Sequence, residues 1–242
     1  MLSAHAKIVF LLDVDNTLLD NDRFSTDLDD RLRDDFGEEE RVRYRRIYSD
    51  LRERTGYADY LGALQEFRSD VDDKDQEKLL QISTFLLDYP FEERVYPQVG
   101  EVIQHLDSIG VTAILSDGDI VFQPRKIQRS GLWDMVQGRI MITLHKERRM
   151  DDVRRRFPAD HHVMVDDKPQ LLEAMKDQLG DNLTTVFVRQ GHYADEAKVT
   201  AGSGIDISID SIAEMVNLDR GRFLPGTSSR RLNCATISME AT

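Results

Sequence analysis

Two aspartates follow the first apolar run of the chain, residues 8–12, in the stretch Asp13-Val14-Asp15-Asn16-Thr17. At a strand end, carboxylates spaced two positions apart can both reach a site above the sheet once the chain turns. Two like charges placed together are costly unless a cation compensates for them. Oxygen ligands of this kind suit Mg²⁺. The structural alternative is a helix cap or turn built from Asp and Asn.

Polar residues also follow later apolar runs. Ser116 and Asp117 come after residues 111–115, and Asp166-Asp167 comes after residues 163–165. Between them, His145-Lys146-Glu147 offers a cation. If the strands are parallel, their ends meet at one edge and bring carboxylates, a hydroxyl, turn N–H groups and a positive charge together. This combination suits phosphoryl transfer.

Short apolar runs alternate with helical patterns over most of the chain. The runs predicted to be buried strands are residues 8–12, 111–115, 140–142, 163–165, 186–188 and 205–209. Strands that alternate with helices predict an α/β fold with a doubly wound parallel sheet. Residues 21–91 contain no convincing strand and show charged helical patterns, which predicts an all-helical domain inserted after the first strand. Helices that only cover one edge of the sheet are the alternative.

These patterns divide the chain into three predicted parts. Residues 1–20 and 92–219 form a discontinuous α/β core domain, and residues 21–91 form the helical domain. Residues 220–242 have a Ser/Thr-rich composition without periodicity, so we expect a flexible tail there.

The composition excludes several classes of function. The chain has 242 residues, a net charge of −13 and 40% hydrophobic residues. Its acidic balance argues against a nucleic-acid partner, because phosphate backbones need clustered Lys and Arg. The single cysteine, Cys234, excludes an intrachain disulfide and a multi-cysteine zinc site. No segment approaches the ~20 apolar residues that cross a bilayer. We therefore expect a cytoplasmic protein with no membrane partner, and the sequence does not indicate an oligomeric state.

The order of the motifs carries a resemblance to a known family. Asp13-x-Asp15-x-Thr17, then Ser116, Lys146 and Asp166-Asp167, resembles the four motifs of haloacid dehalogenase-like hydrolases over about residues 7–218. The resemblance implies a Rossmann-like core. It also implies a helical cap, which many members carry just after the first motif, where residues 21–91 lie.

The resemblance also implies a role for each motif residue. Asp13 would be the nucleophile that forms an aspartyl-phosphate, and Asp15 would protonate the leaving oxygen and then activate water. Thr17, Ser116, the N–H of Asp117 and Lys146 would hold the phosphoryl group, and Lys146 would also hold the nucleophile. Mg²⁺ would be held by Asp13, the backbone carbonyl of Asp15 and Asp167, with Asp166 as a water-mediated ligand.

The resemblance leaves several chemistries open. We expect a phosphatase acting on a small soluble phosphorylated metabolite, because a dehalogenase needs no acid at the position of Asp15. A sugar-phosphate mutase, a dehalogenase and a binding-only phospho-receiver module are the alternatives. Lys146 precedes Glu147 where many capped members have Pro, so Arg148 or Arg149 is an alternative cation. Two insertion segments, residues 41–46 and 54–57, are candidates for contact with the substrate.

Overall fold

Six parallel strands form one sheet in the order β3-β2-β1-β4-β5-β6. The structure is a computed structural model that describes residues 5–70, 75–193 and 204–224. The strands are β1 (Ala6–Leu12), β2 (Val111–Asp117), β3 (Ile140–Thr143), β4 (Ala159–Asp166), β5 (Leu183–Val188) and β6 (Ile207–Ile209). This confirms the predicted doubly wound α/β fold. The strand order reverses between β1 and β4, which is where such sheets open a crevice for ligands.

Alternating side chains of the strands enter two separate cores. Ile8, Phe10 and Leu12 of β1 belong to the core on one face of the sheet. Val9 and Leu11 belong to the core on the other face. Because both faces are covered, β1 is an unbroken apolar run instead of an alternating one.

Nine helices accompany the strands in the described part of the chain. They are α1 (Asn21–Phe36), α2 (Glu38–Thr55), α3 (Tyr60–Phe67), α4 (Gln76–Asp88), α5 (Val99–Ile109), α6 (Phe122–Arg129), α7 (Leu132–Met135), α8 (Met150–Arg156) and α9 (Pro169–Leu179). Within the residues described, no helix combines the length and the apolar character that crossing a membrane requires.

Helices α1 to α4 lie between β1 and β2, and we call them the helical insertion. Each of them buries an apolar stripe, for example Phe24, Leu28 and Leu32 of α1, as amphipathic helices do. Two of these helices begin at a side-chain cap: Asp20 accepts from Arg23 N at 2.9 Å, and Asp59 accepts from Gly62 N at 2.7 Å. The stretch predicted to be helical is therefore helical in the described residues, and its action as a separate cap domain stays a prediction.

The packed chain extends beyond the predicted start of the tail. Arg220–Phe223 forms a 3₁₀ turn, and Phe223 is fully buried with its ring centroid 5.0 Å from that of Phe10. The predicted start of the tail at residue 220 is therefore wrong, because residues 220–223 pack against the core. An argument from composition does not detect a single buried aromatic residue. Residues 225–242 of the predicted tail lie outside the described residues.

Candidate active site

Three carboxylates meet where β1 and β4 end side by side. Leu12 pairs with Val165 in the sheet, and Asp13 N donates to Val165 O at 3.0 Å. This register brings Asp13 next to Asp166 and Asp167, which close β4 and begin the following turn. Oxygens of the three residues lie within 4.8 Å of one another, and all three residues are buried. We call these three residues the acidic cluster.

Lys146 is the cation that the structure places inside this cluster. It is 1% exposed, and its Nζ lies 2.5 Å from Asp13 Oδ1 and 2.6 Å from Asp166 Oδ2. Burial disfavours the charged lysine, but the carboxylates of Asp13 and Asp166 outweigh burial and raise its pKa. Arg148 and Arg149, the alternative cations, have ion-pair partners elsewhere, in Glu147 and Asp152.

The cluster keeps oxygens that no described group satisfies. Among the described residues, Asp13 Oδ2 and both carboxylate oxygens of Asp167 have no hydrogen-bond partner. Burial, followed by the charge of Asp166, raises the pKa of Asp167 to about 9. Buried oxygens that lack partners are costly, and hard carboxylate oxygens are the ligands of divalent cations such as Mg²⁺ and Ca²⁺. The donor set therefore fits a divalent metal ion.

The other residues that we predicted to contact phosphate differ in their hydrogen bonds. Ser116 is 1% exposed, and its Oγ accepts from Gln123 Nε2 at 3.0 Å. Thr17 is fully buried, and its hydroxyl has no partner among the described residues. Asp117 turns its carboxylate to the loop after β3, where Oδ1 accepts from Lys146 N at 2.9 Å. The acid at position 117 therefore helps to hold the turn that carries Lys146.

Asp15 is not a member of the acidic cluster and pairs with residues of α6. Its Oδ1 is 2.7 Å from Lys126 Nζ, and Gln123 Nε2 lies 3.4 Å from Oδ2. The side chain is 21% exposed, which leaves it accessible from the cavity that it lines. The metal contact predicted for the backbone carbonyl of Asp15 stays a prediction.

Three functional candidates near the site escaped the sequence analysis: Gln123, Lys126 and Lys168. The N–H of Lys168 donates to Asp166 Oδ1 at 2.9 Å. Burial opposes the charge of Lys168, but Asp13 and the Asp166-Asp167 pair outweigh it and raise its pKa. Its position directly after the acid pair was the available signal. Gln123 and Lys126 lie in a helix whose polar sequence, FQPRKIQR, is typical of an exposed face.

A cavity of about 400 Å³ separates the strand ends from the helical insertion. The core contributes Asp15, Asp117, Asp167 and Lys168 to its lining. The insertion contributes residues from both predicted contact segments, among them Arg45, Gly56 and Tyr57. The Arg45 guanidinium already binds Asp29 Oδ1 at 2.6 Å, so part of its charge is neutralised.

The chain is similar to known proteins in both sequence and fold. A family profile described as haloacid dehalogenase-like hydrolase matches residues 9–188. A structure from Burkholderia xenovorans LB400, described as a haloacid dehalogenase-like hydrolase, is 50% identical, with a TM-score of 0.81 over 89% of this chain and 100% of that chain. No curated protein matches the chain.

More distant structures share the fold alone. A haloacid dehalogenase-like family hydrolase from Xanthomonas campestris is 17% identical, with a TM-score of 0.66 over 91% of this chain and 94% of that chain. The L-2-haloacid dehalogenase from Xanthobacter autotrophicus with chloropropionic acid covalently bound is 15% identical, with a TM-score of 0.56 over 88% of this chain and 98% of that chain.

Proposed function

Because the chain belongs to the haloacid dehalogenase-like hydrolases, we propose that it is a Mg²⁺-dependent phosphomonoester hydrolase. It acts on a small phosphorylated metabolite through a covalent phosphoryl intermediate on Asp13. One observation carries the proposal: Lys146 Nζ joins Asp13 Oδ1 at 2.5 Å and Asp166 Oδ2 at 2.6 Å, while Asp13 keeps a second oxygen without a partner. This arrangement holds a carboxylate in place and leaves it able to react.

The proposed reaction has two steps. An oxygen of Asp13 forms a bond to phosphorus while the ester oxygen leaves with its bonding pair and takes a proton from Asp15. Water then attacks phosphorus, gives its proton to Asp15 and releases phosphate from Asp13. A carboxylate needs no base to act as a nucleophile, and a proton donor is needed because an alkoxide is a poor leaving group.

The chain's own donors fit the phosphoryl group. The Ser116 hydroxyl, the N–H of Asp117 and the Thr17 hydroxyl are the proposed hydrogen-bond donors, and Lys146 supplies positive charge. Lys168, which lines the cavity next to Asp167, adds a second cation. Hydrogen-bond donors and cations fixed in this way stabilise the charge that develops on phosphoryl oxygens.

The proposed metal ligands are Asp13, the backbone carbonyl of Asp15, and Asp167, with Asp166 acting through water. Asp166 Oδ1 accepts from the N–H of Lys168, and Asp166 Oδ2 has an ion-pair partner in Lys146 although it accepts no hydrogen bond. Among the described residues, the oxygens of Asp167 have neither a hydrogen-bond partner nor an ion-pair partner. A bound Mg²⁺ supplies positive charge that offsets the carboxylates and the phosphoryl oxygens.

We propose that residues 21–91 act as the cap domain over this site. The cavity of about 400 Å³ has lining residues from both the insertion and the core, and it matches the size of a small metabolite site. Closure of the insertion excludes water during the first step.

The test is hydrolysis of p-nitrophenyl phosphate with Mg²⁺ and with EDTA, next to release of chloride from 2-chloropropionate. We expect metal-dependent phosphate release, and a loss of about 10³-fold or more in Asp13→Asn, since covalent catalysis is removed. Asp177→Asn is the matched control, because Asp177 is exposed on α9. Full activity of Asp13→Asn contradicts the covalent step, and metal-independent chloride release identifies a dehalogenase.

A further inference from the structure

A buried lysine outside the four motifs touches the proposed proton donor. Lys126 of α6 is 1% exposed, and its Nζ lies 2.7 Å from Asp15 Oδ1 and 2.9 Å from Asn21 Oδ1. An ammonium so far from water is costly unless charged and polar partners compensate for it. The charge of Lys126 therefore depends on its contacts with Asp15 and Asn21.

Three aromatic rings also lie near the ammonium group of Lys126. Its Nζ lies 5.2 Å from the ring centroid of Phe122, 5.8 Å from that of Phe91 and 5.9 Å from that of Phe24. These distances allow cation–π attraction. The rings occupy part of the space around the ammonium that water would otherwise fill.

The partners of Lys126 come from both ends of the helical insertion. Asn21 and Phe24 belong to the first turn of α1, where the chain enters the insertion. Phe91 lies in the turn after α4, where the chain leaves it. Lys126 thus connects the carboxylate of Asp15 to the two crossings between the core and the insertion.

The neighbouring turn of α6 holds the second carboxylate oxygen. Gln123 Nε2 approaches Asp15 Oδ2 at 3.4 Å and donates to Ser116 Oγ at 3.0 Å. Helix α6 therefore presents one donor to each oxygen of Asp15. The side chain is held by α6 and not by the acidic cluster.

We propose that Lys126 is a positioning residue for proton transfer by Asp15. It holds the carboxyl group of Asp15 at the wall of the cavity, beside the two turns where the chain enters and leaves the insertion. The inference rests on the proposed phosphatase function, because it assigns Asp15 to the leaving oxygen. It also gives two buried lysines different roles: Lys146 contacts the proposed nucleophile, and Lys126 contacts the proposed proton donor.

The test compares two phosphate esters that differ in their need for a proton. The leaving oxygen of p-nitrophenyl phosphate is a weak base, whereas that of an alkyl ester such as 2-phenylethyl phosphate is a strong base. We expect Asp15→Asn to lose about 10²-fold or more in kcat on the alkyl ester and much less on the aryl ester. Lys126→Met should show the same asymmetry, at least about tenfold, with a smaller change in KM.

Matched variants separate positioning from folding. Lys176→Met is the control, because Lys176 forms an ion pair of the same length, 2.7 Å, with Asp206 outside the site. We expect this variant to leave both rates unchanged. Lys126→Arg should recover part of the alkyl-ester rate, because it restores the charge. If Lys126→Met does not fold, Asn21→Leu removes one contact of the ammonium and should show a weaker asymmetry of the same kind.

Each failure has its own signature. Equal losses on both esters in folded Lys126→Met, or in Asn21→Leu when it replaces that variant, overturn the positioning role while the phosphatase function stands. An Asp15→Asn variant without asymmetry removes the proton-donor role from Asp15 and the inference with it. Wild-type protein that hydrolyses neither ester contradicts the proposed function itself.

Discussion

Asp166 and Asp167 are neighbours in sequence, but their carboxylates have opposite surroundings. Asp166 Oδ2 lies 2.6 Å from Lys146 Nζ, and Oδ1 accepts from Lys168 N at 2.9 Å. Among the described residues, neither oxygen of Asp167 has a hydrogen-bond partner, although Asp167 is only 1% exposed. Asp166 is thus paired within the protein, whereas Asp167 is a buried carboxyl group without a protein partner among the described residues.

This contrast predicts different effects of Asp167→Asn and Asp166→Asn on metal binding. We expect Asp167→Asn to abolish measurable Mg²⁺ affinity, because a neutral amide cannot lose a proton to become the carboxylate that binds the metal. Asp166→Asn should weaken Mg²⁺ binding by about 10–100-fold, as is typical for residues that orient the ligands of a metal site. Isothermal titration with Mg²⁺ measures both, and Asp177→Asn should bind like wild type. A larger loss in Asp166→Asn than in Asp167→Asn reverses the proposed assignment.

The same carboxylate predicts how the stability of the metal-free protein depends on pH. Burial and Asp166 raise the pKa of Asp167 to about 9, whereas an unfolded Asp titrates near 3.9. Between these values the folded state binds more protons than the unfolded state, so the free energy of unfolding falls as pH rises. The contribution reaches at most about 1.4 kcal/mol per pH unit.

Urea unfolding in EDTA at several values from pH 5 to pH 9 measures this slope. We expect Asp167→Asn to be less pH-dependent than wild type and more stable than wild type at the alkaline end, because it lacks the buried charge. Saturating Mg²⁺ should reduce the slope of wild type only. If the free energy of unfolding changes with pH equally in wild type and Asp167→Asn, the raised pKa of Asp167 is contradicted.

Lys146→Met should destabilise the protein as well as inactivate it. Lys146 is buried between Asp13 and Asp166, so its removal leaves two like charges without their common partner. Breaking a buried pair in this way costs about 3–5 kcal/mol. Lys176→Met removes a more exposed pair with Asp206 and should cost about 0–1 kcal/mol. Equal unfolding free energies of the two variants in urea would show that Lys146 does not compensate the cluster.

The apolar runs were sufficient to predict the sheet. Residues 8–12 and 163–165 are apolar because β1 and β4 are covered on both faces, so even short runs indicated strands. Once the strands are parallel, Asp13 and Asp166-Asp167 must reach the same edge. The convergence of these acids therefore followed from local patterns and the parallel direction of the strands, whereas the neighbouring positions of β1 and β4 came only from the structure.

Contacts between distant segments could not be predicted in the same way. Lys126 is buried because Phe24, Phe91 and Phe122 come together around it, and no local pattern connects those three residues. The role of Asp117 depends on the pairing of β2 with β3, which brings its carboxylate to the backbone of Lys146. Phe223 was missed because a single buried ring produces no periodicity.

The contact between Gly56 and His145 predicts a specific effect on substrate binding. Gly56 ends α2 with a φ of 82°, and a Cβ added there would lie 2.1 Å from His145 Cε1. Both residues line the cavity, one from the insertion and one from the loop that carries Lys146. Gly56→Ala must therefore displace the imidazole, and we expect KM to rise by several-fold while the nucleophile stays in place.

Gly37→Ala is the matched control for this prediction. Gly37 has a φ of 92°, and a Cβ added there meets no heavy atom within 4 Å. Gly56→Ala should lose about 1–2 kcal/mol of stability from its left-handed backbone. Gly37→Ala should lose about 1–3 kcal/mol, because its φ of 92° and ψ of 171° are adopted almost only by glycine. Only Gly56→Ala should change KM. In a His145→Ala background the effect of Gly56→Ala on KM should disappear, since neighbouring residues act non-additively. Additive changes in KM across this cycle would place the effect in the backbone of α2 and not in the contact with His145.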